Sequence, residues 1–127
     1  MASNLLADEA ADKIVTVSRT AIGDSLRSVT YFTRDDYDQL YLRDDLEQDA
    51  DLTSFIGHEW HDFKTAHAAY EGTELGAYNY TIRAFDNGYL VRVTDEREGV
   101  FVTTDGLTMQ DFENVTTSIK EVLRDEL

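Results

Sequence analysis

A chain of 127 residues with 42% hydrophobic and 11% aromatic content has the composition of a folded protein able to bury a core. The absence of cysteine excludes disulfides, thiolate nucleophiles and sulfur-bound metals, and no apolar run approaches the roughly 18 residues of a membrane span. The 26 acidic side chains against 11 basic ones give a net charge of -15, a surface that repels nucleic acid and anionic lipid.

The acids run from Asp8 to Glu126 instead of forming one block, and only Lys13, Lys64 and Lys120 are lysines. That distribution points to a whole surface adapted to concentrated salt, where screening shortens to about 3 Å in molar electrolyte. The start, MASNLLADEAADK, lacks the basic and apolar regions of a signal peptide. A cytoplasmic location is expected.

In chain order, residues 4–22 carry Leu5, Leu6, Ala10, Ile14 and Val17 near helical spacing, with Gly23 as a stop. LRSVTYFT, residues 26–33, is rich in β-branched and aromatic residues and predicts a strand. YDQLYL, residues 37–42, alternates and predicts a second, with Asp38, Leu40 and Leu42 on one face and Tyr37, Gln39 and Tyr41 on the other. From Leu52 the period changes: Leu52, Phe55, Ile56, Trp60, Phe63, Ala66 and Tyr70 predict an amphipathic helix ending near Gly72. Tyr78, Tyr80, Ile82 and Ala84 then share one face of a strand, and Asn87-Gly88 predicts a type I′ hairpin turn. Tyr89, Val91 and Val93 return along the same face, and Val100 to Val102 form the last strand. Thr108 and Asp111 resemble a capping box ahead of a helix with Met109, Phe112, Val115, Ile119, Val122 and Leu123 as its buried stripe.

The predicted order is α-β-β-α-β-β-β-α, a single α+β domain over residues 1–127. Hairpins join most strands, so a five-stranded, largely antiparallel sheet covered by three helices is expected. Over nearly the whole chain this order resembles the profilin-like group and, within it, the roadblock/LC7 family of small dimeric regulators. The stretches GDSLRSVTYFTRDDYDQLYLRDDL and NGYLVRVTDEREGVFVTTDGLT also resemble an uncharacterised family found in haloarchaea. The first resemblance implies a homodimeric regulator; the second implies no activity.

HEWHDFKTAH, residues 58–67, holds every histidine of the chain. The zincin pattern His-Glu-x-x-His fails because Asp62 stands where the second histidine belongs. His58, His61 and Asp62 share one helical flank as weak metal candidates, but Trp60 and Phe63 mark the buried side and turn that flank to solvent. DDLEQDAD, residues 44–51, fails as a calcium loop, since counting from Asp45 puts Ala50 and Ile56 at the glycine and glutamate positions. Neither a nucleophile elbow nor a glycine-rich phosphate loop is present. No cofactor is implied, and the balance favours a non-enzymatic role.

Two surfaces remain. With Asn87-Gly88 as the turn, Phe85 would face Leu90 and Arg83 would face Arg92, an opposed cationic pair that calls for an anion or an acidic partner. Mixed apolar and cationic faces of this kind suit interfaces. Tyr78 and Tyr80, with Trp60 from the covering helix, could instead bound a small-molecule pocket. The expected function is therefore a regulatory or protein-interaction domain acting as a homodimer or with another protein. The alternative is a sensory module of PAS- or GAF-like role that binds a small molecule on its tyrosine-lined face.

Overall fold

The computed structural model describes residues 7–34, 36–44, 60–61, 63–65, 68–70, 72–76, 78–94, 97–106 and 109–126. Helix α1, Asp8–Ile22, buries Ala10, Ile14, Ser18 and Ile22, a strict four-residue step that keeps one stripe against the sheet. The buried Ser18 hydroxyl donates 2.8 Å to the Ile14 carbonyl, so no polar group is stranded there. Gly23 ends the helix at φ 71° with its N–H on the Arg19 carbonyl, a conformation in which a side chain would be strained. Leu5 and Leu6 lie outside the described residues.

Strands β1 (Leu26–Phe32), β2 (Tyr37–Leu42), β3 (Thr81–Phe85), β4 (Gly88–Thr94) and β5 (Gly99–Thr104) form one sheet in the order β2-β1-β5-β4-β3. Every neighbouring pair is antiparallel. Helical residues at 60–61, 63–65 and 68–70 belong to α2, and α3 spans Met109–Glu126. The expected five-stranded sheet with three helices is the fold observed.

The helices divide between the two faces. Leu26, Val29, Tyr31, Val93, Val100 and Val102 pack with Ala10 and Ile14 of α1 and with Val115, Ile119, Val122 and Leu123 of α3. The opposite face carries a smaller cluster, Phe32, Leu90 and Phe101, met by Tyr37 and by Trp60 of α2. Each buried side chain of this size stabilises the fold by about 1.5–3 kcal/mol, and among the described residues more of them lie on the α1/α3 side.

The structure corrects several expectations. Between Val29 and Thr30 the β1–β2 register slips, Val29 facing Tyr41 and Thr30 facing Gln39, which leaves Leu40 as a bulge. The bulge turns Tyr41 onto the α1 side, where the Arg19 guanidinium lies 5.3 Å from its ring centre; simple alternation had placed Tyr41 with Tyr37 and Gln39. Tyr70 and Met109, expected in buried stripes, are 50% and 61% exposed, and Met109 is the first residue of α3. The Thr108 cap lies outside the described residues.

Candidate functional site

The β3–β4 hairpin forms one end of the sheet, and its geometry differs from the type I′ expectation. Phe85 pairs with Gly88, so the turn is Asp86-Asn87, and neither residue has a positive φ. Gly88 is required for another reason: a Cβ there would collide with the Thr104 carbonyl oxygen of β5. Arg83 consequently faces Leu90, and Arg92 faces Thr81. The opposed Arg83–Arg92 pair does not form; the two arginines are diagonal neighbours on the face that carries α2.

Arg92 is fully buried. Its Nη2 donates to the Tyr78 hydroxyl at 2.5 Å and to Thr81 Oγ1 at 2.8 Å. Arg92 therefore fastens the segment entering β3, and β3 itself, to the inner strand. A cation so buried needs acceptors such as these to be satisfied, which makes it a structural tie. Leu90 is buried too, in the cluster under Trp60. Of the four residues expected to form a mixed surface, Phe85 is 62% exposed and Arg83 half-buried, while Leu90 and Arg92 belong to the interior.

The three pocket candidates separate. Trp60 meets Phe32 edge-on at 6.4 Å and Phe63 at 6.1 Å, and Phe63 in turn meets Tyr78 at 6.1 Å. Tyr80 packs on the other face, against the α1/α3 core. Tyr78 lies ahead of β3 instead of within it, so strand alternation does not govern the two tyrosines. Among the metal candidates His61 is exposed, and His58 and Asp62 lie outside the described residues. No group of three potential ligands occurs among the described residues.

Contacts invisible to sequence patterning complete the site. An open groove of about 340 Å³ runs between α3 and the entry to β3, lined by Asn79, Tyr80, Glu113, Thr116, Thr117 and Lys120. Lys120 Nζ donates 3.1 Å across it to Asn79 Oδ1, and burial pulls the Lys120 ammonium below its ordinary pKa. At the other side of the sheet, Asp105 takes bonds from Arg43 at 2.7 Å and Arg27 at 3.0 Å. Those hydrogen bonds, from Arg43 first and then Arg27, hold its carboxyl below the usual range. Asp38, buried opposite Tyr31, is pushed up by burial and secondarily by Asp36. Tyr31 donates its hydroxyl 2.8 Å to the buried Glu98 carboxylate. Lys120 meets Asn79 across 41 positions of sequence, and no local spacing reveals such a pair.

Among solved structures the chain is similar to an MglB in a tetrameric arrangement, with a TM-score of 0.69 and 10% identity, covering 100% of this chain and 99% of that one. It is also similar to the gliding protein MglB of Thermus thermophilus, with a TM-score of 0.67, 10% identity and 95% of each chain covered. At that identity the likeness establishes a shared fold, the roadblock arrangement expected from the element order. No curated protein matches the sequence. No helix among the described residues is long and apolar enough to cross a membrane. Residues 12–124 match the model of a domain of unknown function, DUF7522, and the chain belongs to that family.

Proposed function

We propose that this chain is a single-domain, non-enzymatic regulatory protein that works by protein–protein contact, pairing with a second copy through the outer edge of β3. The observation that carries this reading is Phe85, 62% exposed at the end of an edge strand whose pairing to β4 is regular throughout. A straight edge presents a row of backbone donors and acceptors to another strand, and an apolar side chain beside it adds area to bury. The tetrameric arrangement of the similar MglB supports self-assembly as a use of this fold. The net charge of -15, spread along the chain, supports a cytoplasmic setting of concentrated salt.

A sensory role on Tyr78, Tyr80 and Trp60 needs the three on one cavity, and they occupy two faces of the sheet. Light scattering across a concentration series in molar salt tests the proposal: a dimer mass is expected, and monomer at every concentration overturns it. The salt setting has its own test, since desalting should lower the thermal midpoint, and an unchanged midpoint rejects it.

A further inference from the structure

Lys120 is anomalous in so acidic a chain. Its ammonium is partly removed from water, yet its partner is the neutral amide of Asn79 and, among the described residues, no carboxylate stands within ion-pair distance. Desolvating a charge against a neutral partner alone is unfavourable. The groove it spans opens beside Tyr80, at the entry to the β3 edge. At the other end of the same strand stands Asp86, the sole acid between residues 77 and 94. It is exposed and makes no interaction among the described residues.

The geometry of two-fold strand pairing relates these two groups. Opposed residues of antiparallel strands share a sheet face, so two copies related by a two-fold axis through the sheet pair with each residue's face preserved. The register that overlaps all of Thr81–Phe85 centres on Arg83 and sets Thr81 against Phe85 of the partner subunit. One step outward, just beyond the strand ends, it brings Tyr80 next to Asp86 of the partner subunit. Tyr80 packs on the α1/α3 face, Lys120 lies there beside it, and Asp86 is the exposed turn residue that directly follows β3. We infer that pairing of two copies through β3 seats Asp86 of the partner subunit in the groove beside Lys120 and Asn79, closing two symmetric ion pairs per dimer. The same register brings the two Arg83 side chains together on the α2 face, a like-charge contact that the two ion pairs must offset.

This inference rests on the edge-pairing proposed above, and one experiment separates the two. The full-length chain, Lys120→Glu, Asp86→Lys and the double charge reversal are compared by sedimentation equilibrium, at the lowest salt in which circular dichroism shows all four folded. Each single reversal is expected to weaken the dimer by about tenfold or more, and the double to recover to within about threefold of the parent. Lys120→Met, which keeps the apolar stem, replaces Lys120→Glu should the latter not fold, with the same direction of loss. A parent chain that is monomeric throughout removes the edge-pairing itself. A dimeric parent indifferent to both single reversals, or a double whose losses simply add, removes the ion pair and leaves the edge standing.

Discussion

The two edges of the sheet are built in opposite ways. At the β2 edge the Leu40 bulge breaks the ladder, Arg19 lies over Tyr41, and Arg43 and Arg27 converge on Asp105 to pin the strand ends. Asp35, Asp36, Asp38, Asp44 and Asp45 crowd the sequence in and around that strand with negative charge. The β3 edge has regular pairing, an exposed Phe85 and a single nearby acid, and it is fastened from its inner side through Arg92. Bulges and charges are what proteins use to keep an edge from pairing. The difference teaches that, among the described residues, one edge is interrupted and pinned while the other keeps a regular ladder.

Breaking the inner fastening should have the largest effect. Arg92→Met removes the tie to Tyr78 and Thr81 from a fully buried position and should cost about 3 kcal/mol. It should lower the thermal midpoint and speed amide exchange in β3 more than in β2. Gly88→Ala drives a methyl group into the Thr104 carbonyl and should cost a comparable amount, about 2–4 kcal/mol, in denaturant unfolding. A Gly88→Ala variant as stable as the parent would mean that β4 and β5 do not approach as described.

A middle-sized effect discriminates the edges directly. Phe85→Lys should weaken self-association by about tenfold or more, since it removes apolar area from the edge and adds a cation on the face where the two Arg83 side chains meet. Gln39→Lys on β2 should leave association unchanged. Sedimentation of both variants gives the comparison, and equal losses would erase the distinction between the edges.

How much of this was legible in the sequence depends on the range of the signal. Hydrophobic period fixed the element order and the buried stripes, because Ile14, Phe112, Val115 and Ile119 repeat within single elements. The hairpin register is not legible locally: Asn87-Gly88 carries the pattern of a positive-φ turn, whereas Gly88 pairs with Phe85 and lets the β5 backbone approach. An arginine in a strand pattern reads as a solvent-facing residue; only its partners, Tyr78 and Thr81 on neighbouring segments, make its burial possible. The bulge at Leu40 and the Lys120–Asn79 bond depend on contacts between elements, and local patterns hold no trace of them.

The smallest effects sit at the closed edge, and they have opposite signs. Asp105 is held below its ordinary pKa of 3.8, so its contribution is present above that value and fades as pH falls through the lower, folded one. Asp105→Asn should lower the midpoint slightly at neutral pH and converge with the parent in acid; the exposed setting keeps the change small. Asp38 is raised above 3.8, so the native state binds more protons and stability declines as pH climbs through that window. Asp38→Asn should therefore raise the midpoint at neutral pH and change nothing below about pH 3. Thermal scans across pH distinguish the two variants, and a shared sign would contradict the assigned causes.

Backbone amide exchange as a function of protein concentration bears most directly on the open edge. The outward-pointing amides of residues 81–85 should be protected in concentrated solution and lose that protection on dilution, while those of residues 37–42 stay unchanged. Protection that appears at β2 instead, or that is independent of concentration at both edges, would contradict the assignment of β3 as the docking edge.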